Sequence, residues 1–169
     1  ELNLTKNNEK WLKKIEKNWF PGEISAQKKL KLYILEKANN YSTGRDRPDK
    51  DLTSKLSPHL HFGEISPIQV YHDIQNNKKI NILNKNKFLA ELGWRDFSYN
   101  LLYHYPTMIS KPIQNKFNKF PWVKNNKNLY LWQKGNTGIP IVDAGMRQLY
   151  KTGWMHNRVR MIVGSFLTK

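Results

Sequence analysis

The longest stretch of regular hydrophobic spacing, residues 84–104, repeats its apolar positions every three to four residues and stops before Pro106. This period places apolar side chains along one face of an α-helix, and a proline cannot continue such a helix. Similar spacing occurs in four other segments, residues 8–18, 24–38, 141–150 and 155–168. No segment has a convincing alternation of period two, which marks a half-buried strand. The sequence therefore predicts an all-α fold.

Proline, glycine and small polar residues mark the boundaries between these helices. Ser66 and Pro67 form a typical helix start before residues 68–74, because the serine oxygen can accept from a backbone N–H and proline needs no donor there. Residues 39–51 and 107–127 are rich in polar residues and contain prolines. We predict that both are loops.

The composition fits one globular domain and argues against several other classes. The chain has 169 residues, 38% of them hydrophobic, which is enough for a packed core. We interpret residues 1–22 as a linker with an N-terminal helix and residues 23–169 as part of one domain. The chain has no cysteine, which excludes disulfides and thiolate metal sites, and no run of 18 apolar residues that could cross a bilayer. We expect a cytoplasmic protein that binds no metal and acts as a monomer.

Basic residues outnumber acidic ones by 29 to 13, which gives the chain a formal net charge of +16. A positive excess of this size attracts polyanions, of which nucleic acid is the usual one. A general enrichment in lysine is the simpler explanation for the scattered lysines. Three of the arginines are more informative, because Arg95, Arg158 and Arg160 lie close to tryptophans in the segments described next.

A turn rich in small hydroxyl residues, Thr53 to Ser57, lies directly before Pro58. Backbone N–H groups and hydroxyls in such a turn can face an anion, and a diphosphate is a natural ligand. An ordinary helix cap accounts for the same residues without any ligand. Taken alone, the turn does not decide between the two interpretations.

Three polar or aromatic side chains share one face of the predicted helix 84–104. Glu91, Trp94 and Arg95 stand at positions i, i+3 and i+4. They indicate either a binding surface or a salt bridge packed on a tryptophan. Gly93 lies among them, although glycine inside a helix costs about 1 kcal/mol relative to alanine. We therefore expect backbone or a ligand to approach closely at this glycine.

The last predicted helix carries an amide, two guanidinium groups and a thioether in a stripe. Asn157 lies three residues before Arg160 and four before Met161, and Arg158 lies three before Met161. Such groups suit a planar heterocycle with hydrogen-bonding edges. A core helix with solvated arginines is the alternative interpretation.

Together, and in this order, these segments resemble the photolyase/cryptochrome family. The resemblance rests on Tyr41 with Arg45 and Asp46, TSKLSPHLHFGEISP (53–67), ELGWRDFSYNLLYHYP (91–106), FPW (120–122) and residues 131–169 with WMHNRVRM at 154–161. It covers nearly all of residues 24–169. It implies the helical FAD-binding domain of a class I photolyase, which repairs cyclobutane pyrimidine dimers in DNA.

The resemblance implies a folded FAD held by residues from all three segments. The turn from Thr53 to Ser57 would hold its phosphates, Phe88 would lie on the flavin side, and Asn157 would lie beside the reactive edge of the flavin ring. The implied cofactor-binding residues are Tyr41, Thr53, Ser54, Lys55, Leu56, Ser57, Phe88, Arg95, Trp154, Asn157 and Arg160.

The resemblance also implies a DNA substrate and a light-driven reaction, in which the reduced flavin lends an electron that splits the dimer. Glu91 would hydrogen-bond the damaged bases and Trp94 would stack on them, while Trp122 matches the outer member of a tryptophan electron-transfer chain. The implied catalytic residues are Glu91, Asn157 and Met161. The implied DNA-binding residues are Arg45, Glu91, Trp94, Arg95, Asn157 and Arg158.

Two other functions fit the sequence. A cryptochrome would keep the flavin and signal instead of repairing, although Asn157 favours a cyclobutane-dimer photolyase, because relatives acting on the (6-4) lesion usually have a histidine there. A basic nucleic-acid-binding module without flavin is the second alternative. The chain lacks an initiator methionine, the family's antenna domain and its downstream flavin contacts. We therefore expect about half a cofactor domain, which binds FAD weakly and does not repair DNA alone.

Overall fold

The computed structural model describes residues 10–121 and 123–168, which contain helices and connecting turns but no strand. This confirms the predicted all-α fold. The α-helices of the described part are α1 (Lys10–Glu16), α2 (Glu23–Glu36), α3 (Tyr41–Gly44), α4 (Ser57–His61), α5 (Pro67–Gln75), α6 (Ile82–His104), α7 (Asn126–Lys134), α8 (Pro140–Thr152) and α9 (Asn157–Thr168). Short 3₁₀ turns occupy Ala38–Asn40, Pro106–Ile109 and Asn115–Lys119.

The chain forms two compact units. We call residues 22–123 the central unit, and residues 1–21 with 124–169 the terminal unit. The helix α1 thus belongs to the same unit as α7, α8 and α9. The domain division at residue 22 that we inferred from the sequence stays a prediction.

The core of the central unit forms where α2, α5 and α6 turn their apolar residues inward. On α2, Ala26, Leu30 and Tyr33 are buried at a spacing of three to four residues, as the periodicity of that segment predicts. On α5, Val70 and Ile74 join the same cluster. The first half of α6 is packed into this core, whereas its second half has no fully buried residue.

Asn84 links α3 to the start of α6 through hydrogen bonds of its side-chain amide. Its Oδ1 accepts from the backbone N–H of Ser42 at 2.6 Å, and its Nδ2 donates to the carbonyl oxygen of Asn39 at 2.6 Å. Asn81 caps α6 by accepting from the backbone N–H of Asn84 at 2.9 Å. A buried amide whose donor and acceptor are both used fixes a position closely. This connection sets where Tyr41, the first residue of α3, lies relative to α6.

In the terminal unit, α8 packs closely against α9. Val142 and Met146 of α8 meet Val159 and Val163 of α9 in a small apolar core. Gly145 permits the close approach, because a Cβ atom there would lie 2.5 Å from Cγ1 of Val159.

Asp143 holds the turn before α8 in place. Its carboxylate accepts from the backbone N–H and the hydroxyl of Thr137, both at 2.7 Å, and from the backbone N–H of Gly138 at 3.0 Å. Burial opposes ionisation of Asp143, but the hydrogen bonds from Thr137 and Gly138 outweigh it and lower the pKa of this carboxyl below its ordinary value. The native turn therefore depends on the charged form.

We expect Asp143 to make the terminal unit sensitive to acid. Because its folded pKa lies below the unfolded value, the carboxylate stabilises the fold above the unfolded pKa, and this contribution is lost as the pH falls through the folded pKa. The melting temperature of the wild-type chain should exceed that of Asp143→Asn near neutral pH, by a margin that shrinks below about pH 4. Asp73→Asn, at an exposed position of α5, is the control. Its melting temperature should stay close to that of the wild-type chain at every pH. A margin for Asp143→Asn that is independent of pH would contradict the assignment.

The long periodic helices predicted from the sequence are confirmed as α2, α5, α6, α8 and α9, with ends shifted by a few residues. The prediction for residues 8–18 is confirmed over α1, and its first two residues lie outside the described part. Residues 39–51 were predicted to be a loop, which is wrong over α3. The helix α7 was missed, although Asn125 caps its start and Gly135 ends it in a left-handed conformation. Among the described residues, none of the helices has the length and apolarity to cross a bilayer.

Candidate functional site

A cleft of about 680 Å³ opens in the central unit between α4 and α6. Its volume lies within the range of small-molecule and cofactor sites. Seven of the residues that line it were implicated by the sequence: Tyr41, Ser54, Leu56, Ser57, Phe88, Glu91 and Arg95. Residues that the sequence had placed in a loop, a turn and the long helix therefore meet at one cavity.

Aromatic rings form the inner wall of the cleft. The ring of Phe88 lies 5.2 Å from that of Tyr41 and 5.2 Å from that of Tyr33, between ring centroids. Burial, and then the neighbouring Tyr41, raises the pKa of the Tyr33 phenol well above its ordinary value, so this group stays neutral. The wall behind the cleft is therefore aromatic and uncharged, which suits a flat aromatic ligand.

The turn from Thr53 to Ser57 has an unusual backbone. Lys55 adopts a left-handed conformation with φ of 52°, which is uncommon for a residue with a side chain. The backbone N–H of Leu56 points to the hydroxyl of Ser54 at 3.4 Å. The Oγ1 atom of Thr53 is buried and has no hydrogen-bond partner among the described residues. An unsatisfied buried hydroxyl is costly, so the turn is prepared for a polar ligand atom.

The ammonium group of Lys55 points to an acidic neighbour of the turn. Its Nζ atom lies 3.0 Å from a carboxylate oxygen of Asp51, and the Nζ atom of Lys37 lies 2.9 Å from the other. Lys55 was implicated in cofactor binding, but it does not line the cleft. Its role toward a cofactor stays a prediction.

Glu91 is paired with Arg45 across the cleft wall. The Nη1 atom of Arg45 donates to Oε1 of Glu91, and the Arg45 guanidinium also lies 6.0 Å from the ring centroid of Tyr41. The side chain of Arg45 is only 11% exposed. The guanidinium thus orients the carboxylate of Glu91, which lines the cleft. The sequence predicted that Arg45 contacts DNA. That contact stays a prediction.

Arg95 joins α6 to the end of α4. Its Nη2 atom donates to the carbonyl oxygen of Leu60 at 3.1 Å and to the hydroxyl of Tyr99 at 3.2 Å. The guanidinium also lies 4.7 Å from the ring centroid of Tyr99. These contacts hold the positive charge at the edge of the cleft, where it can meet an anionic ligand.

The surface around Trp94 is open. Trp94 is 63% exposed and meets Phe97 edge to face at 5.7 Å between ring centroids. No described protein atom would lie within 4 Å of a Cβ atom at Gly93, so the expectation that protein backbone approaches this glycine is wrong. The space beside the helix remains free for a ligand. An exposed indole next to open space is suited to stacking with a base.

The remaining implicated residues lie in the terminal unit. Asn157 is the first residue of α9 and is exposed. On the same helix, Nη1 of Arg158 lies 3.5 Å from Sδ of Met161, and Nη2 of Arg160 donates to the carbonyl oxygen of Met155 at 3.4 Å. Trp154 is half-buried and meets His156 edge to face at 6.0 Å. Both arginines thus make polar contacts on or next to α9. The cofactor-binding, DNA-binding and catalytic roles implied for these residues stay predictions. The prediction for Trp122 falls outside the described residues.

Several lining residues were missed by the sequence reasoning. They are Pro58, Leu60, His61, Phe62, Leu92, Ser98 and Tyr99. On α6 the signal was present, because Leu92, Ser98 and Tyr99 continue the helical spacing set by Phe88 and Glu91. Extending that stripe one further turn predicts the α6 side of the cleft, whereas the residues on and beside α4 had no such signal.

Comparison with known proteins finds relatives among DNA photolyases and cryptochromes. Residues 88–169 match the family model described as FAD binding domain of DNA photolyase. A deoxyribodipyrimidine photo-lyase of Agrobacterium fabrum is 46% identical over 94% of the chain, and Cryptochrome-1 of Arabidopsis thaliana is 37% identical over 89% of it. The chain covers 33% and 23% of these two proteins.

The crystal structure of a bacterial class III photolyase from Agrobacterium tumefaciens superposes with a TM-score of 0.94 at 45% identity. The match covers 99% of this chain and 35% of that protein. The chain thus spans about a third of the length of the photolyases that it matches.

Proposed function

The chain belongs to the photolyase/cryptochrome family, and we propose that it forms the part of a deoxyribodipyrimidine photo-lyase that receives FAD and damaged DNA. The observation that carries this proposal is the cleft of the central unit, because it unites the predicted phosphate turn, the aromatic wall and the Glu91–Arg45 pair. As the relatives are about three times longer, we propose that repair requires further segments. The subclass stays a prediction, because the sequence resembles class I whereas one similar structure is that of a class III photolyase.

The residues of the cleft fit a dinucleotide. The hydroxyls of Ser54 and Ser57 line the cleft and can donate to phosphate oxygens, and the guanidinium of Arg95 adds positive charge at its edge. The buried Oγ1 atom of Thr53 belongs to the same turn but does not line the cleft, and we propose that it turns toward a phosphate when FAD binds. The ring of Phe88 offers an apolar surface for a planar ring system. We propose that these groups hold FAD, which would supply light-driven electron donation to the lesion when bound.

Glu91 in the cleft wall and the exposed Trp94, three residues further along α6, fit a damaged base that has left the duplex. Trp94 can stack on an exposed base, which is worth about 1–3 kcal/mol and offsets the cost of flipping. Glu91 can accept a hydrogen bond from the bases while Arg45 holds its carboxylate in place. The excess of basic residues supports contacts with phosphates on either side. We propose a monomer that acts on DNA in the cytoplasm.

A blue-light receptor is the second candidate, because Cryptochrome-1 is among the relatives. Both candidates need FAD, so the flavin test below addresses what they share. Loss of dimers from an irradiated oligonucleotide in the light, measured after joining the chain to the remaining segments of a relative, separates repair from signalling.

Thr53→Val tests the phosphate turn because it removes a hydroxyl and keeps the shape. In the FAD-free chain the substitution removes a buried, unsatisfied group, so the free energy of unfolding should rise by about 1 kcal/mol. If the hydroxyl binds phosphate, the same substitution should weaken FAD binding about tenfold. The two effects have opposite directions. They are measured by urea unfolding and by quenching of flavin fluorescence.

Thr107→Val, at an exposed 3₁₀ turn, serves as the control and should change neither quantity. An FAD affinity unaffected by Thr53→Val would remove Thr53 from the site. The unmodified chain should bind FAD weakly and reversibly. Purified protein with close to one flavin per chain would refute the proposal that further segments are needed for tight binding.

A further inference from the structure

The terminal unit carries a surface cluster of alternating lysines and tyrosines. The Nζ atom of Lys134 lies 5.6 Å from the ring centroid of Tyr130 and 6.0 Å from that of Tyr150. The Nζ atom of Lys14 lies 5.3 Å from the ring centroid of Tyr150. The four residues thus form one continuous row from α7 across α8 to α1. We call them the lysine–tyrosine row.

Both tyrosines in the row are open to solvent. Tyr130 is 57% exposed and Tyr150 is 56% exposed, and both lysines are exposed as well. The ring of Tyr130 carries one lysine, so its other face is available for stacking. The ring of Tyr150 lies near two lysines but keeps part of its surface open, because the residue is 56% exposed. The row is therefore accessible to a ligand that offers both negative charge and flat rings.

Among the described residues of its unit, no acidic side chain pairs with the row. Its unit, residues 1–21 and 124–169, has 13 basic and 4 acidic residues, a net charge of +9. The acidic residue of α7 and α8 is Asp143, whose carboxylate is engaged by Thr137 and Gly138. Glu16 on α1 stands two positions from Lys14, so the two side chains do not face each other. Within the part of the unit that the structure describes, neither lysine of the row forms a salt bridge.

Two ammonium groups around the ring of Tyr150 repel each other, and an anion between them would relieve this repulsion. Single-stranded nucleic acid combines phosphates spaced along a strand with bases that stack on aromatic side chains. We propose that the lysine–tyrosine row binds single-stranded nucleic acid, with phosphates at Lys14 and Lys134 and bases on Tyr130 and Tyr150. This binding needs neither flavin nor a lesion, so it is separate from the function proposed for the cleft.

The test uses the full chain without FAD and a fluorescent, undamaged oligothymidylate. Lys14→Gln combined with Lys134→Gln should lower affinity at low salt about tenfold. It should also reduce the slope of log affinity against log salt by about 1.4, since each lost phosphate contact removes about 0.7 for single strands. Tyr150→Ala should weaken binding about tenfold, and Tyr150→Phe, which keeps the ring, should bind as the wild type does.

Lys28→Gln combined with Lys31→Gln is the matched control, because it removes two exposed charges from α2 and leaves the row intact. It should change the slope of log affinity against log salt by less than a third of the change expected for Lys14→Gln combined with Lys134→Gln. Equal slopes for the two double variants, or equal binding by Tyr150→Ala and Tyr150→Phe, would overturn the proposal. Binding of the chain to phosphatidylserine vesicles without binding to oligothymidylate would also overturn the proposal. Circular dichroism of each variant confirms that its helices are retained, and none of these outcomes affects the FAD test at Thr53.

Discussion

Phe88→Ala is expected to lower the free energy of unfolding of the chain by about 3–5 kcal/mol, the range for truncating a buried phenylalanine. Phe88 is 7% exposed and stands between the rings of Tyr33 and Tyr41. Truncation leaves a cavity and removes two aromatic contacts, each of which adds about 0.5–1.5 kcal/mol beyond simple burial. Urea unfolding followed by circular dichroism measures the loss.

Ile74→Ala separates the two roles of Phe88, because Ile74 belongs to the same core but does not line the cleft. It should cost about 2–5 kcal/mol and leave FAD affinity unchanged wherever the chain is folded. Phe88→Leu is milder and keeps the core filled, but it should still weaken FAD binding, because the ring facing the cleft is lost. A cost below about 1.5 kcal/mol for Phe88→Ala would contradict the packing described for this wall.

Gly145→Ala is expected to destabilise the terminal unit by about 1–3 kcal/mol, as overpacking of a close contact does. The added methyl group would lie 2.5 Å from Cγ1 of Val159 and 3.1 Å from Cγ2 of Val163. Neither valine side chain is long enough to bend away, so α8 and α9 must separate. The loss is read from the midpoint of thermal unfolding.

Gly164→Ala provides the matched control on the facing helix. A Cβ atom at Gly164 would meet no described atom within 4 Å, so only the intrinsic preference for alanine in a helix applies. This substitution should stabilise the chain by up to about 1 kcal/mol. If both substitutions stabilise the chain, the helices are not as close as the structure places them.

Local patterns in the sequence predicted those helices that bury a regular apolar face. The inward residues Ala26, Leu30 and Tyr33 of α2 follow the period of the helix, and Ser66 caps α5 as expected. The cleft was predictable in part, because Phe88, Glu91 and Arg95 stand at helical spacing on α6. In each case the information lies within a few residues along the chain.

The contacts that the sequence did not predict join distant segments. Arg45 and Glu91 are 46 positions apart, and no local pattern indicates that α3 and α6 meet there. The helix α7 was missed because its sequence is polar and follows a loop rich in Asn and Lys, so packing against α8 decides its conformation. The free space at Gly93 is likewise a property of the folded surface.

The amide of Asn84 has a consequence for how a ligand enters the cleft. It joins α3, which carries Tyr41, to α6, which carries Phe88 and Glu91. These two walls of the cleft are therefore held in position relative to each other before a ligand binds. Little conformational freedom is then left to lose on association. We therefore expect entry of a ligand to be limited by diffusional encounter rather than by slow rearrangement of the walls.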